Sequence, residues 1–394
     1  MECRQLREEI QRLHRILQRH GIYPNPHQRE TPARAPVGNP LKLSAAEKVA
    51  LFRALFRGRD DVYPVRWESP DGRHGYSPKS ERDWKAYNAA KAEDRKRVDK
   101  ETRKHIPLTD VAIHDHLAGK HTIGVYPLLR DETCWFLAAD FDKKTWQEDT
   151  SAFLETCRML EVPARLERSR SGKGGHIWIF FERPVPASVA RKLGALILTR
   201  TMERRHQLGL DSYDRFFPNQ DTMPKGGFGN LIALPLQKGP RAEHHTEFLD
   251  DSFAPHLDQW ALLSSIQRMT QSAAERLILE AQRDGDLIGV RISAADDEDQ
   301  PDPWTLPPSR KRTEKLVEGP MPATLSVVRS NLIYVEKKGL PPALMNRILR
   351  IAAFQNPEFY KAQAMRLSTF DKPRVIGCGE DVARHLALPR GCLA

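Results

Sequence analysis

The sequence has few cysteines and no long apolar stretch. Its five cysteines lie far apart and form no CxxC pair, which argues against a disulfide framework and against a zinc site made of thiolates. No apolar run approaches the roughly 20 residues that a membrane-spanning helix needs, and the N-terminal stretch lacks the apolar centre of a secretory signal. We therefore expect a cytoplasmic protein with no membrane partner.

Positive charge is in moderate excess. Lys and Arg number 62 against 52 Asp and Glu, which gives a net charge of +10, but both signs are mixed along most of the chain. This balance favours a polyanionic partner, and nucleic acid is the most common one. With 394 residues, the chain is long enough for two or three folded units.

Changes in composition divide the chain into seven segments. Leu6, Ile10, Leu13 and Leu17 recur at the spacing of a coiled-coil seam, although a helix that packs on its own domain would show the same spacing. Residues 79–104 are charged and free of Gly and Pro, which predicts a solvated helix or, alternatively, a helix that contacts nucleic acid. The predicted segments are an N-terminal helix (1–23), a Pro-rich linker (24–43), a helical and basic accessory region (44–104), a central strand-rich region (105–262), a helical extension (263–293), an acidic Pro-rich linker (294–320) and a C-terminal helical region (321–394).

The central region has the pattern of alternating strands and helices. Short apolar runs bounded by turn residues predict buried strands, and two segments with helical period lie between them. The order β-β-α-β-β-α-β predicts an α+β fold with an antiparallel or mixed sheet, helices on one face and a topology close to an RNA-recognition motif. The predicted strands are TIGVYPLL, CWFLAADFD, ARLERSR, HIWIFF and NLIALPL.

The strongest chemical signal is the acidic pair in CWFLAADFDKK. Because side chains alternate along a strand, Asp140 and Asp142 should point to the same face a few ångströms apart. Two such carboxylates repel each other and are costly to desolvate unless cations neutralise them. A pair of Mg²⁺ or Mn²⁺ ions that serves phosphoryl transfer is the usual solution. The alternative is a solvated strand end with two surface acids.

The second signal is the glycine-rich stretch LERSRSGKGGHIWIFF, which joins two predicted strands. Gly174 and its neighbouring glycines allow backbone N–H groups to approach a ligand. His176 opens the next strand, where it could donate to a triphosphate or hold a proton. The stretch is not a Walker A element, because Glu167 stands where that motif needs a glycine. The donors and positive charges around the glycines suit phosphates and are Arg168, Ser169, Arg170, Ser171 and Lys173.

A third polar segment is LDSYDRFFPNQDTMPKGGFGNLIALPLQKGPR. Asp214 and Asp221 are each able to complete a site with three carboxylates. The polar side chains that could orient a nucleotide or a template are Arg215, Asn219, Gln220 and Arg241.

Together these segments resemble the archaeo-eukaryotic primase superfamily. Its marks are an acidic pair on one strand (here DFD, 140–142), a Ser-x-His type motif that opens the next strand (here SGKGGH, 171–176) and a later single Asp. More narrowly, the stretch from HLAGKHTIGVYPLL to GNLIALPLQKGPR is similar to the primase-polymerase module of TOTE conflict systems. These are mobile, defence-like bacterial systems in which the module precedes a helicase and a nuclease. The tail from FQNPEFYKAQ onward is similar to the segment that leads into that helicase.

The resemblance implies a DNA primase-polymerase with its catalytic core at 105–262. Such a nucleotidyltransferase joins nucleoside triphosphates to a 3′-hydroxyl on a single-stranded or primed DNA template, and a helicase domain accompanies it in the longer protein. Asp140, Asp142 and Asp214 would then bind two Mg²⁺ or Mn²⁺ ions. Asp214 is preferred to Asp221 because it directly precedes the apolar FF of a predicted strand.

The resemblance also assigns the phosphates of the incoming nucleotide to His176, Ser171 and Lys173. Relatives are expected to carry a cysteine-rich zinc knuckle after GYSP, but residues 79–104 contain no cysteine, so zinc is not expected. Two other functions would use parts of the same sequence. One is a two-metal nuclease, and the other is an adaptor that binds single-stranded DNA for a helicase.

Overall fold

The residues that the computed structural model describes are 42–283, 317 and 321–393. The N-terminal helix predicted for 1–23 lies outside them, as do nearly all residues of the predicted linkers 24–43 and 294–320. Among the helices of the described ranges, none is both long and apolar enough to cross a membrane.

The strands of the described ranges are mostly short, because turn residues interrupt the apolar runs, and two long central strands are the exception. In chain order they are β1 (Pro64–Glu68), β2 (His74–Pro78), β3 (Ser80–Glu81), β4 (Lys104–His105), β5 (Gly124–Val125), β6 (Thr133–Phe141), β7 (Arg165–Arg168), β8 (Gly175–Pro186), β9 (Phe216–Phe217), β10 (Ile232–Ala233), β11 (Phe248–Leu249), β12 (Val327–Arg329), β13 (Ile333–Glu336), β14 (Ala353–Gln355), β15 (Val375–Gly377), β16 (Glu380–Asp381) and β17 (His385–Leu388).

Several helices begin at a side chain that caps their first N–H groups. Ser44 accepts from the Glu47 N–H, and the Glu47 carboxylate accepts in return from the Ser44 N–H, which makes a capping box. The α-helices are α1 (Ala45–Leu55), α2 (Trp84–Ala89), α3 (Arg95–Thr102), α4 (Asp110–Leu117), α5 (Trp146–Met159), α6 (Ala187–Arg204), α7 (Lys238–Arg241), α8 (Gln259–Ser264), α9 (Gln271–Arg283), α10 (Pro342–Ile351) and α11 (Pro357–Ala364), with 3₁₀ turns at Leu210–Asp214 and Arg390–Leu393.

Five strands form the central sheet in the order β11-β7-β8-β6-β9. The two long strands, β6 and β8, pair from Thr133 opposite Pro186 to Phe141 opposite Gly175. Strands β7 and β8 form the hairpin that the SGKGG turn predicts. The predicted α+β class is confirmed, and the sheet, which could have been antiparallel or mixed, is antiparallel at every pairing.

Alternation along β6 divides its side chains between two cores. Leu137 and Ala139 lie in the core that the sheet forms with helices α5, α6 and α9. Phe136 and Ala138 face the other side, where α1, α4 and the β5–β10 pair cover the sheet, so helices lie on both faces and the prediction of helices on one face was wrong. By the same alternation, Asp140 lies on the face of Phe136 and Ala138, and its side chain is 20% exposed.

Three predicted elements differ from the structure. The TIGVYPLL and NLIALPL runs were expected in the central sheet, but they pair with each other as β5 and β10. The outer positions of the sheet are taken instead by β9, the predicted FF strand to which no place in the sheet was assigned, and by β11, which is too short to stand out in the sequence. Residues 79–104 form α2 and α3 rather than one helix, because Asp83 caps α2 and the chain turns between Lys91 and Asp94.

The C-terminal region, 321–393, combines helices with strands. Its helices α10 and α11 agree with the helical region predicted there, but the region also forms a sheet of order β12-β13-β17-β16 and the pair β14–β15. These strands are only two to four residues long, so their pattern in the sequence is weak. Helix α10 packs on α6, and Arg350 donates to the hydroxyl of the buried Tyr213 at 2.9 Å.

Gly194 allows helix α6 to lie close to β6 and β9. A Cβ at this position would come within 2.9 Å of Phe216 and 3.0 Å of Leu137. Ala is the better helix former by about 1 kcal/mol, but overpacking a tight core costs roughly 1–3 kcal/mol. We therefore expect Gly194→Ala to lower the free energy of unfolding by about 1 kcal/mol, measured by urea denaturation.

The control is Gly391→Ala, whose new methyl group meets no atom within 4 Å and should leave stability unchanged. A Gly194→Ala protein that is more stable than the wild type would contradict the close packing.

Candidate active site

Three polar side chains from neighbouring strands lie in one row across the central sheet. Asp140 on β6 stands opposite His176 on β8, and His176 stands opposite Glu167 on β7. Residues that face each other across antiparallel strands project on the same side of the sheet. Accordingly, the His176 Nδ1–H donates to Glu167 at 2.7 Å, and His176 Nε2 lies 3.6 Å from an Asp140 carboxylate oxygen.

The carboxylates on either side keep His176 protonated. Burial alone lowers its pKa, but Glu167, Asp140 and Asp142 outweigh that effect and raise the pKa of His176 to about 9. Glu167 is itself almost fully buried and accepts a second hydrogen bond from the Trp178 indole N–H at 3.0 Å. His176 is thus a fixed cation with Nε2 directed towards the acidic pair.

Asp140 and Asp142 both lie at the end of β6, but in different surroundings. The Asp140 side chain is 20% exposed and that of Asp142 is 50% exposed. Burial is the main cause that raises the pKa of Asp140; His176 and Arg215 oppose this shift, while Asp142 adds to it. The pair is therefore a site where a cation is strongly favoured.

Arg215 supplies positive charge to this pair in the structure. Its guanidinium donates to Asp142 at 2.7 Å and lies 3.6 Å from Asp140. Its carbonyl oxygen accepts from the Asp140 N–H at 2.9 Å, so the contact between β6 and β9 holds Arg215 beside the acids.

The acidic pair fits a divalent ion of the Mg²⁺ type. Carboxylate oxygens are the ligands that such an ion prefers, and Mg²⁺ is commonly held by one or two carboxylates together with substrate phosphates and water. The guanidinium of Arg215 shows that a cation has access to both acids. Within residues 42–283 and 321–393, however, no three His, Cys, Asp or Glu side chains are grouped as a complete metal site.

The two candidates for the third carboxylate make other contacts. Asp214 accepts from the backbone N–H of Arg374 at 2.7 Å, and burial raises its pKa. Asp221 binds the guanidinium of Arg191 through both oxygens, at 2.5 and 2.6 Å. Burial alone raises the pKa of Asp221, but Arg191 outweighs that effect and lowers it. The role of Asp214 as third ligand stays a prediction.

A third acid near the pair is Asp211, which the sequence interpretation did not select. It accepts from Lys143, the residue after Asp142, at 2.9 Å. Asp142, Asp140 and Asp211 all raise the pKa of Arg215, in opposition to its burial, so the charge of Asp211 acts on the same guanidinium as the acidic pair. The sequence around Asp211, an acid after Gly-Leu, gives no distinctive signal.

The glycine-rich loop between β7 and β8 lies directly against the acidic pair. A Cβ on Gly174 would come within 2.6 Å of the Phe141 carbonyl oxygen and 3.2 Å of the Asp142 Cα, so only glycine fits there. The loop turns at Gly172, whose φ of +72° favours glycine, and a Cβ there would collide with the imidazole of His245.

The predicted phosphate donors divide into two groups. Ser169 and Ser171 lie in the loop with their hydroxyl oxygens 3.1 Å apart, and the Lys173 N–H donates to Ser171 at 3.2 Å. The three predicted arginines are engaged elsewhere. Their contacts are Arg168 with the Phe253 carbonyl at 3.0 Å, Arg170 with Glu68 at 3.5 Å and Arg241 with Glu247 at 3.3 Å. Asn219 is held by its backbone, whose N–H donates to the Asn230 side chain at 3.2 Å.

Glu167 is a second residue of the candidate site, after Asp211, that the sequence interpretation missed. The pattern did contain a signal for it. Once the hairpin closes symmetrically with Arg168 opposite Gly175, Glu167 must stand opposite His176. A charged residue in a buried strand, directly across from a candidate catalytic histidine, calls for a partner role.

The chain matches a known protein family over the region that contains this site. A family model described as the archaeo-eukaryotic primase domain of TOTE conflict systems matches residues 47–277. This match spans more than half of the 394 residues, and the chain belongs to that family. It covers the acidic pair, the glycine-rich loop and the Asp214 segment.

No curated protein matches the chain. Among solved structures, the chain is similar to the polymerase domain of Ligase D from Mycobacterium tuberculosis in complex with DNA. The sequence identity is 12% and the TM-score 0.28, with 62% of this chain and 90% of that chain covered. At this level of similarity, nothing about binding or activity is carried over.

The first prediction for the site concerns Glu167. In metal-free protein, Glu167→Gln removes the charge closest to the imidazole, and the pKa of His176 should fall from about 9 towards its ordinary value or below. In the wild type the raised pKa makes protonated His176 a stabilising group below about pH 6.5. That contribution is lost as the pH rises through about 9.

An NMR titration of the imidazole carbons measures this pKa. Glu182→Gln, on the exposed side of β8, is the matched control and should leave the titration of His176 unchanged. The charge relation between Glu167 and His176 is wrong if both variants titrate like the wild type.

The second prediction concerns Asp221. Asp221→Ala leaves the Arg191 guanidinium, whose side chain is 12% exposed, without its carboxylate partner. Removal of one member of a buried ion pair costs about 3–5 kcal/mol, and urea denaturation should show a loss of that size. The surface pair Asp71–Arg73 supplies the control, since Asp71→Ala should cost less than about 1 kcal/mol. Equal losses in the two variants would show that Asp221 is not structural.

Proposed function

We propose that this chain is a DNA primase-polymerase that transfers nucleotides from nucleoside triphosphates to a 3′-hydroxyl on a single-stranded or primed DNA template. It would act in the cytoplasm as part of a mobile conflict system with a defence role, together with a helicase domain. Family membership supports the general type of activity. The reaction, the metal ions and the nucleotide are inferred from the chemistry of the site.

The observation that carries the proposal is the contact between the acidic pair and the glycine-rich loop. Gly174 packs on the backbone of Phe141 and Asp142 so closely that no side chain fits between them. Carboxylates suited to divalent ions and a loop suited to phosphates therefore meet at one point. A nucleoside triphosphate with its ions is a ligand that uses both.

Asp140 and Asp142 would hold the ions, with Asp214 as the proposed third ligand and Asp211 as the alternative. When bound, two Mg²⁺ or Mn²⁺ ions lower the pKa of the attacking hydroxyl and stabilise the triphosphate. In the absence of these ions, the guanidinium of Arg215 neutralises the two acids. On release from Asp142, its guanidinium is suited to a phosphate oxygen.

His176 and the loop would hold the triphosphate. His176 Nε2–H can donate to a phosphate oxygen, while Glu167 fixes the ring and keeps it charged. The Ser169 and Ser171 hydroxyls and the Lys173 ammonium supply further donors on the same loop. The protein thus contributes position and charge, which are the main contributions of an enzyme to phosphoryl chemistry.

We expect Asp140→Ala to abolish nucleotide incorporation, with a fall of about 100-fold or more, and to leave DNA binding near the wild-type level. The assay supplies single-stranded template and labelled nucleotides with Mn²⁺, with and without a primer, and includes the Asp140→Ala/Asp142→Ala double variant. Asp71→Ala, a surface acid, is the matched control for loss of one negative charge.

Wild-type incorporation by Asp140→Ala would remove the central assignment. Template cleavage without incorporation would favour the nuclease, and DNA binding without either reaction on any template would favour the adaptor. His176→Ala further separates the polymerase from the nuclease. A polymerase should lose incorporation in this variant, whereas a nuclease has no need of the triphosphate contact and should keep its cleavage.

A further inference from the structure

Helices α2 and α3, with Arg82 just before α2, carry a group of aromatic and arginine side chains on the surface, which we call the aromatic–arginine cluster (Arg82, Trp84, Tyr87 and Arg95). The Arg82 guanidinium lies 4.9 Å from the Trp84 ring and 4.5 Å from the Tyr87 ring. Arg95 lies 5.4 Å from Tyr87 on the other helix. The two aromatic rings meet edge to face at 5.9 Å. Trp84 nevertheless remains 61% exposed.

This exposure is not a by-product of core packing. Helix α2 has no buried residue, and the one buried residue of α3 is Asp99. Asp99 accepts from Arg82 and from Arg103, so an ionic contact holds the two helices together. Because the buried contact between these helices is ionic, packing into the core does not account for an exposed tryptophan, which water solvates poorly.

The surroundings of the cluster are basic. Residues 79–104 contain ten lysines and arginines against six acids, and most of these basic side chains are exposed. Arginine beside an aromatic ring is suited both to a phosphate, through its N–H groups, and to a nucleobase, through its flat face. The cluster therefore offers both of the contacts that a nucleic-acid strand can make.

We propose that the aromatic–arginine cluster is a binding site for single-stranded nucleic acid, in which an unpaired base stacks on Trp84 while Arg82 and Arg95 contact the adjoining phosphates. Aromatic side chains within a basic surface are the usual means of holding single strands without regard to sequence. In a duplex the base faces are already stacked on each other, so a duplex cannot use the indole in this way.

The inference deepens the proposed function and rests on it for one point, that the strand held here is the template. Binding itself is tested without catalysis, in the Asp140→Ala/Asp142→Ala background with EDTA and no nucleotide. The probes are fluorescein-labelled oligo(dT) and a duplex of equal length, and fluorescence anisotropy gives the dissociation constants.

Trp84→Ala should weaken binding of oligo(dT) by about 5- to 150-fold, the range expected for loss of one stacked base. Trp84→Phe keeps a ring and should retain most of the affinity, whereas Trp84→Leu keeps apolar surface alone and should lose it. Binding of the duplex should change little in all three variants.

Two controls match these changes. Phe370→Ala removes an aromatic ring that is 96% exposed but lies outside the cluster, and it should leave binding unchanged. Arg97→Ala removes one charge from α3 that is paired with Asp94 and Glu101, and it should weaken binding less than Arg95→Ala does. The thermal midpoint of each variant checks that the fold is retained.

The proposal is overturned if Trp84→Ala binds oligo(dT) like Phe370→Ala, if Trp84→Leu binds like Trp84→Phe, or if the duplex loses as much affinity as the single strand. A loss of self-association in Trp84→Ala with unchanged oligo(dT) binding would identify a protein interface and overturn it as well. The two proposals can fail separately. If the wild type incorporates no nucleotide but oligo(dT) binding still depends on Trp84, the binding site at the cluster is supported and only the proposed catalysis is removed.

Discussion

The register of three antiparallel strands is the constraint on which the candidate site depends. Pairing of β6 with β8 and of β8 with β7 places Asp140, His176 and Glu167 in one row. A slip of one residue would turn the whole row to the other face, into the helical core. Register is fixed because β6 and β8 bury apolar side chains on both faces. The packing of the sheet therefore determines which charges meet.

Charge within this row alternates. A carboxylate on Glu167, a protonated imidazole on His176 and carboxylates on Asp140 and Asp142 follow one another, and Arg215 completes the series. The two cations, His176 and Arg215, lower the cost of desolvating the carboxylates beside them. The acidic pair is thereby kept ready for a cation without being left as an isolated buried charge, which the fold could not tolerate.

The α+β class, the hairpin around SGKGG and the common face of Asp140 and Asp142 could be predicted because they follow from period two and turn chemistry within short windows. Contacts between residues far apart in the sequence could not be predicted. Nothing local shows that Asp221 binds Arg191, or that Asp211 reaches Lys143. Short edge strands such as β9 and β11 have too few residues to show a period, so their place in the sheet escaped prediction.

The attachment of the C-terminal region to the core has a consequence for communication along the chain. Three contacts from the C-terminal region hold the segment that carries Asp214. The Arg374 N–H donates to Asp214, the Arg350 guanidinium donates to the Tyr213 hydroxyl, and the Gln363 side chain accepts from the Asp221 N–H. The family match ends at residue 277, yet these braces come from beyond it. A displacement of residues 350–374 would therefore shift Asp214, the proposed third acid, through these contacts. The geometry of the candidate site thus depends on side chains and backbone that lie more than a hundred residues further along the chain.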